Sequence, residues 1–94
     1  INFNRGWKGH KIEKRWFMAV SGEISIKVLP INEIEMKIYD DLKEYNLSST
    51  NMDILYVPEG YGTCIKQKIE DSEVLVFADY FINQNDDEDF RWKF

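Results

Sequence analysis

The chain has 94 residues, of which 44% are hydrophobic and 15% aromatic, with a formal net charge of −5 and a pI of about 4.8. This length predicts one domain over residues 1–94, and the composition excludes a disordered polymer. The acidic balance argues against a general nucleic-acid binder. Since no apolar run approaches the roughly 20 residues that cross a bilayer, and no signal-like segment is present, we expect no membrane contact.

The single cysteine and the first residue bear on where the protein works. Cys64 has no second cysteine to pair with, so an intrachain disulfide is excluded and a reducing compartment is favoured. We therefore expect a cytoplasmic protein. The chain begins at Ile1 rather than Met, which is compatible with a fragment or processed product that lacks upstream strands.

The first third of the chain combines a basic stretch with two predicted strands. Residues 5–15 form the basic stretch and contain the only histidine, His10. It leads into predicted strands at 15–21 and 23–29, which meet at a Ser-Gly turn. The second strand alternates apolar and polar residues, and Pro30 ends it because proline cannot donate to the ladder.

The rest of the chain continues the pattern of short strands. Residues 33–39 alternate with period two, which favours a strand over a short helix. Residues 53–57 form a short apolar strand closed by a Pro-Glu-Gly-Tyr-Gly turn, and the last two strands are predicted at 63–69 and 73–81. Six or seven short strands with turns between them predict an all-β fold, a small antiparallel β-barrel or jelly roll.

Three kinds of chemistry compete for the reactive residues. A site of three histidines and a carboxylate needs several imidazoles, and this chain has one histidine, so no metal or other cofactor is predicted. Cys64 lies in a predicted strand, where a buried inert thiol is favoured over a nucleophile. Acid–base chemistry is the better interpretation, because His10 can take and return a proton near neutrality. The surrounding cations could stabilise an enolate or bind a diphosphate. A surface histidine in a polar turn is the alternative.

Aromatic residues and one aspartate complete the candidate set. Tyr56, Tyr61 and Tyr80 can serve as acids or as stacking surfaces for a base or sugar, and half-buried rim positions are the alternative for them and for Trp7. Asp79 shares a strand face with apolar residues, so we expect its carboxylate either at the barrel mouth or paired in the core.

Two segments, 5–22 and 54–63, together resemble the cupin superfamily. In its first motif two histidines are followed by a glutamate and a glycine, and in its second a Pro-x-Gly is followed by a histidine. The residues at the corresponding positions here are Lys8, His10, Arg15 and Gly22, then Pro58, Gly60 and Thr63. The turns are retained while His10 alone remains among the ligand positions, which resembles a cupin without a metal.

Within that superfamily, the Arg-Gly-Trp-Lys-Gly-His-Lys run at 5–11 is similar to the Arg-Gly-x-His-Ala-His-Lys motif of dTDP-4-oxo-6-deoxyhexose 3,4-ketoisomerases. The related 3,5-epimerases place their base after Arg-Gly-x, where this chain has Lys8. The resemblance implies a metal-free, dimeric enzyme that removes a proton beside the ketone of a nucleotide-linked sugar. His10 matches the second of the two ketoisomerase histidines, which leaves one of two proton carriers.

The sequence therefore predicts an isomerase or epimerase of a dTDP-type 4-oxo-6-deoxy sugar. The predicted catalytic residues are His10, Lys8 and Tyr80, and the predicted substrate-binding residues are Arg5, Arg15, Trp7, Tyr61, Thr63 and Asp79. The expected partners are a small sugar nucleotide and a second copy of the chain. The rings near the C-terminus should be buried either on the barrel or on that second copy. The main alternative is a non-catalytic cupin that binds a sugar nucleotide or carbohydrate, and a structural domain of a larger protein is the third.

Overall fold

The computed structural model describes residues 7–10, 13–79 and 89–92, and for His10 and 89–92 it describes the backbone. Within these ranges the chain forms eight strands and one short helix. The strands are β1 Trp7–His10, β2 Arg15–Ser21, β3 Glu23–Pro30, β4 Lys43–Ser48, β5 Leu55–Val57, β6 Tyr61–Gln67, β7 Glu73–Ala78 and β8 Asp89–Trp92, and the helix is α1 Ile31–Met36.

The strands form two antiparallel sheets. Sheet A has the order β4-β3-β6-β1-β8, and sheet B has the order β5-β2-β7. Neighbours in space are mostly distant in sequence, as in a jelly roll, where strands of one hairpin end up in different sheets. The prediction of an all-β, cupin-like jelly roll is confirmed.

The main hydrophobic core lies between the two sheets. Phe17 of β2 and Ile24 and Ile26 of β3 have no exposed surface, and Ala19 and Val57 of sheet B are buried with them. The period-two alternation predicted for β3 explains its contribution, because every second residue faces the opposite sheet. Each fully buried large apolar side chain stabilises the fold by roughly 1.5–3 kcal/mol, so this layer is the main source of stability.

Helix α1 covers the other face of sheet A, and here the predicted strand at 33–39 is wrong. Pro30 precedes the helix with an extended conformation, and the chain leaves the helix at Lys37 in the left-handed region, at φ 58. Ile31 and Ile34 are buried, because residues three apart share a helix face. Over a segment this short, a strand of period two and a short helix place apolar residues at overlapping positions, so the pattern does not distinguish the two structures. Tertiary packing decides between strand and helix.

The packing under α1 forms a second, smaller apolar cluster. It consists of Trp7, Leu29, Ile34 and Cys64, from β1, β3, α1 and β6. Gly62 permits the approach of the helix, because a Cβ at this position would lie 2.3 Å from Cδ1 of Ile34.

Three observed strands were not predicted, namely β1, β4 and β8. In β4 only Leu47 is buried and the first four residues are exposed, since β4 is an edge strand that pairs with β3 alone. Without a run of buried apolar residues, the hydrophobic pattern of this segment is weak. Apart from the strand at 33–39, the predicted strands are confirmed, β2 with the predicted bounds and the others with shifted ends.

At one end of the molecule the β2–β3 turn is tightly closed. Gly22 has a φ of +74, and a Cβ on it would lie 2.2 Å from Oγ of Ser72. This hydroxyl accepts a hydrogen bond from the backbone N–H of Glu23 at 3.0 Å and donates to the carbonyl of Ile69 at 2.6 Å. The Ser-Gly turn predicted from sequence is therefore confirmed, and it needs glycine for both conformation and space.

The outer face of sheet B is apolar and exposed. Trp16 of β2 lies directly opposite Tyr56 of β5 and Phe77 of β7, so three rings form one cross-strand row. The ring centroids of Trp16 and Tyr56 are 5.3 Å apart. Among the described residues, no helix has the length and hydropathy needed to span a membrane.

Candidate functional site

The strand register brings four of the predicted site residues together. Lys8 of β1 is directly opposite Thr63 of β6, and His10 is opposite Tyr61. Opposed residues in an antiparallel pair belong to the same face of a sheet. Val28, a member of the main core, is opposite Thr63 on its other side, so the shared face is the inner one, toward sheet B.

These residues belong to two adjacent cross-strand rows at one end of sheet A, which we call the mouth rows. The first row crosses all five strands, and the second crosses four. Their members are Lys43, Val28, Thr63, Lys8 and Arg91, then Pro30, Tyr61, His10 and Asp89. The inner face at this end therefore carries ionisable and hydroxyl-bearing positions.

The next rows along the same face are different in character. Ile26 is flanked by Tyr45 and Ile65, and Ile24 by Leu47 and Gln67. Both isoleucines have no exposed surface. The inner face of sheet A thus changes from an apolar core to a polar mouth within about two residue pairs.

A cleft of about 270 Å³ opens beside the mouth rows, where β4 and β5 approach the ends of β3 and β6. Tyr45, Tyr56 and Tyr61 line it together with apolar residues, and Lys43 and Asp41 supply the charges among the described lining residues. Tyr61 also packs against the main core, which holds its ring in place. Flat, partly apolar walls with a few charged groups are typical of sites for small organic ligands.

Arg15 lies on the inner face of sheet B and is already engaged. It is opposite Val57 and Ala78, on the same face as buried Phe17. Its Nε forms an ion pair with Oε1 of Glu13, and the two side chains are 18% and 10% exposed. The sequence analysis did not single out Glu13, whose position two residues before a strand arginine was the available signal.

Two other predicted site residues lie away from the mouth rows. Asp79 is exposed at the end of β7, where its Oδ1 accepts a hydrogen bond of 2.8 Å from the backbone N–H of Lys14, so it is not paired in the core. Its own N–H donates to the carbonyl of Lys14 at 3.2 Å, which extends the pairing of β2 with β7. Trp7 is 2% exposed in the cluster under α1, on the other face of sheet A from Lys8.

The remaining predicted site residues cannot be placed among these groups. Arg5, Tyr80 and the side chain of His10 lie outside the described residues. Across the part of the chain that is described, no group of three histidine, cysteine, aspartate or glutamate side chains could hold a metal ion.

A larger cavity of about 600 Å³ lies on the outer face of sheet A. Its described charged residues are three lysines and one glutamate. Lys27 faces Glu44 across β3 and β4, the Glu44 carboxylate also accepts from Oγ of Ser25, and Lys66 is opposite Ser25. Cross-strand pairs of charged and polar residues of this kind are typical of a sheet face exposed to solvent. We therefore place the candidate site at the mouth rows and their cleft.

Sequence reasoning missed Asp41 at this cleft, and also two residues of its strand wall, Lys43 and Tyr45. Both belong to β4, whose odd-numbered residues 43, 45 and 47 face inward. The alternation of Lys-Glu-Tyr-Asn-Leu-Ser was the available signal, although only its Leu47 is buried.

Two facing antiparallel sheets with a polar mouth at one end define a cupin-like jelly roll. No protein-family model matches the chain, and no curated protein sequence matches it significantly. The fold is similar to that of CapF, "capsular polysaccharide assembling protein CapF from Staphylococcus aureus", in two crystal structures with TM-scores of 0.77 and 0.76. A third, of CapF with the inhibitor 3-isopropenyl-tropolone, gives a TM-score of 0.78.

The similarity to CapF is one of fold. In all three structures the identity is 19%, and 100% of this chain is covered. The matched part makes up 26%, 25% and 24% of the CapF chains, so this chain spans about a quarter of their length.

Proposed function

We propose that this domain acts on a nucleotide-linked 4-oxo-6-deoxy sugar in polysaccharide biosynthesis and isomerises or epimerises it without a metal. His10 removes the proton on the carbon beside the ketone, and an enolate forms. The proton returns to a different atom for an isomerase, or to the opposite face of the same carbon for an epimerase. No redox cofactor is needed, because a proton leaves and returns while no electrons are transferred.

The observation that carries the proposal is the strand register at the mouth. The pairs Lys8–Thr63 and His10–Tyr61 are adjacent on the inner face of sheet A. The register therefore assigns position 10, Lys8, Tyr61 and Thr63 to two adjacent rows at one end of sheet A, which supports a site that combines a proton carrier, a cation and two hydroxyl groups. This combination suits enolisation, because a base and a group that stabilises the developing oxyanion must act on neighbouring atoms.

Each neighbour of His10 has a role in this proposal. The ammonium of Lys8 stabilises the enolate oxygen, and the Tyr61 hydroxyl donates to the ketone or returns the proton. Thr63 orients the sugar through its hydroxyl group. We also propose that Arg5 binds the anionic part of the substrate and that Tyr80 is the second proton carrier.

The fold comparison supports the biological context. The matched CapF structures are those of a capsular polysaccharide assembling protein, and sugar nucleotides are the building units of polysaccharides. We propose a cytoplasmic location, since this is where such precursors are made and where the single thiol of Cys64 would stay reduced. We also propose a homodimer, to be tested by analytical ultracentrifugation.

Proton exchange in D₂O tests the activity directly. The protein is incubated with dTDP-4-oxo-6-deoxyglucose, and deuterium incorporation is followed by ¹H NMR. We expect loss of the C3 proton signal for ketoisomerase-like chemistry, and of the C3 and C5 signals for 3,5-epimerase-like chemistry. His10→Asn should lower the exchange rate by at least about 10²-fold, the lower range of general acid–base contributions.

A charge-matched control separates catalysis from general electrostatics. Lys66 is an exposed cation on the outer face of sheet A, opposite Ser25. Lys66→Gln should leave the exchange rate unchanged, whereas Lys8→Gln should lower it. Unchanged exchange in folded His10→Asn would rule out the proposed base.

A second candidate function is a domain that binds the sugar nucleotide without turning it over. The specific observation in its favour is the engagement of Arg15 by Glu13, which leaves the mouth with fewer groups for charge stabilisation. This candidate predicts line broadening of the sugar signals with no deuterium incorporation, and equal broadening with His10→Asn. If neither exchange nor broadening occurs, this substrate class is excluded.

A further inference from the structure

We propose that the cavity on the outer face of sheet A binds a small polyanion, a molecule that carries at least two phosphate or carboxylate groups. The site lies on the opposite face of β3 and β6 from the mouth rows. It goes beyond the proposed function, because it needs neither His10 nor a sugar substrate. The volume of the cavity, its excess of positive charge and the spacing of its lysines support it.

The cavity is large enough for a whole small molecule. Its volume of about 600 Å³ lies within the range of roughly 300–1,000 Å³ that is typical of ligand sites. It reaches Cys64, which is buried in the cluster under α1, and it is also lined by Ser25, which is 5% exposed. The cavity therefore extends from the packed region under the helix along the outer face of β3 and β6.

The charged groups of the cavity are mostly positive. Three lysines and one glutamate are the charged residues among its described lining, which leaves an excess of two positive charges when all are ionised. The chain as a whole has a net charge of −5, so this excess is opposite in sign to the charge of the whole chain. Because salt screens exposed charges more than about 10 Å apart, the nearby ammonium groups determine the field in the cavity. The cavity therefore attracts anions.

The register brings the lysines close together. Lys27 of β3 is opposite Cys64, and Lys66 of β6 is opposite Ser25. The two lysines are therefore diagonal neighbours on one face, about 7–8 Å apart at the backbone. Lys68 follows two residues after Lys66, which is about 7 Å of extended chain. Like charges at such distances repel each other, and an anion bound between them removes this repulsion.

The single carboxylate lies at one side of the cavity. Glu44 is opposite Lys27 and accepts from the hydroxyl group of Ser25, so it is engaged where β3 pairs with β4. This arrangement is typical of a solvated sheet face, but it involves one of the three lysines. Lys66 and Lys68 are exposed on the β6 side, which therefore carries the excess charge.

Lysine side chains determine the class of ligand. An ammonium group donates up to three hydrogen bonds and accepts none, and it binds phosphate and carboxylate oxygens as a point charge. The ligand is therefore rich in acceptor oxygens, and an excess of two charges favours an ion with at least two negative charges. The volume of the cavity favours a small molecule over an acidic segment of a protein.

Titration of the intact 94-residue chain tests this site. Tripolyphosphate, citrate and inorganic phosphate are each titrated at constant ionic strength and followed by calorimetry and ¹H–¹⁵N NMR. We expect tripolyphosphate and citrate to bind at least about tenfold more tightly than inorganic phosphate, because each can engage two ammonium groups at once. The amides of residues 25–27 and 64–68 should shift, and added NaCl should weaken binding.

Substitutions at the cavity separate its own charges from the net charge of the chain. Lys27→Gln and Lys66→Gln should each weaken citrate and tripolyphosphate about three- to fivefold, the effect of one exposed charge contact. Glu44→Gln should tighten both, since it raises the excess of positive charge. Lys37→Gln is the matched control, because Lys37 is an exposed cation that does not line the cavity. It should leave both affinities unchanged.

The site is excluded if citrate and tripolyphosphate bind no more tightly than inorganic phosphate, if Lys37→Gln weakens them as much as Lys66→Gln, or if the shifts fall on the mouth rows. Tighter binding of a poly-glutamate peptide than of citrate would overturn the small molecule in favour of an acidic protein segment. Tight binding of tripolyphosphate alone or of citrate alone would support the site and identify phosphate or carboxylate as the group it binds. Each outcome is independent of sugar deuteration, which tests the mouth.

Discussion

The two ends of the barrel interior are built from the same strands but differ in what their side chains do. At the closed end Ile24 is fully buried, and the Gly22 turn is packed against Ser72. At the open end the same face of sheet A carries the mouth rows, and a cleft reaches between the sheets.

This difference shows how the fold divides stability from binding. A β3 or β6 residue facing sheet B can be apolar at one end because the opposite sheet covers it. Two pairs further along, the cover becomes partial, because Thr63 is still buried while Lys8 and Tyr61 are half-buried and Lys43 is exposed. The exposed polar groups can stay hydrated until a ligand replaces the water. The closed end should therefore tolerate little change, and the mouth should tolerate substitutions that alter binding.

The largest expected effect comes from truncation at the closed end. Ile24→Ala should lower the free energy of unfolding by about 2–5 kcal/mol, because it removes an apolar side chain with no exposed surface and leaves a cavity. Tyr45→Ala, at the 38% exposed position in the mouth, should cost less than about 1 kcal/mol. Urea denaturation measures both, and equal losses would contradict the division between the two ends.

A smaller effect is expected at the turn that closes this end. Gly22→Ala places a side chain in the left-handed region, at φ +74, which costs about 1–2 kcal/mol. The added Cβ also meets Ser72, so the hydroxyl must move away from the N–H of Glu23. Gly60 has a φ of +88, and a Cβ added to it would meet nothing within 4 Å. It is therefore the matched control and should show the conformational cost alone. A greater loss in Gly60→Ala would refute the packing explanation.

The smallest effect concerns pH at the rim of the mouth. The pKa of the Glu33 carboxyl is raised above 4.5, mainly by a side-chain hydrogen bond with Asp41. The folded state therefore binds more protons than the unfolded state above that value, and the resulting stabilisation is lost as the pH rises through the raised pKa. Glu33→Gln should remove this decline, so the urea midpoint of the wild type should fall relative to the variant as the pH rises. Parallel curves would show that the pair makes no contribution.

Much of the fold followed from local pattern, and the mouth followed only in part. The alternation in β3 predicted its buried face, and the Ser-Gly pair predicted the turn between β2 and β3, because both depend on neighbours in sequence. The pairs Lys8–Thr63 and His10–Tyr61 join segments more than fifty residues apart. Sequence pattern could nominate these residues but could not align them, since register depends on the whole sheet.

Helix α1 and strand β4 could not be predicted from the sequence for a different reason. Segment 31–36 forms helix α1 because Ile34 packs with Trp7 and Leu29 in the cluster on the outer face of sheet A. The local pattern of six residues does not encode this contact. Strand β4 lies at an edge, where one buried residue, Leu47, is its main hydrophobic signal. Its contribution to the cleft depends on the curvature that brings it near β5.

The burial of Cys64 makes its thiol a probe of local opening in this domain. It is the only thiol in the chain, it is 4% exposed, and it belongs to the cluster under α1. A disulfide reagent can therefore react with it only when the structure around the thiol opens, either at α1 or at the cavity on the outer face of sheet A that Cys64 also lines, and the reaction rate divided by that of an unfolded thiol gives the equilibrium constant for this local opening. Because the thiol faces away from the mouth, it reports on the fold without obstructing the ligand. A single chromogenic assay can thus measure this local opening in the absence and in the presence of a ligand at the mouth.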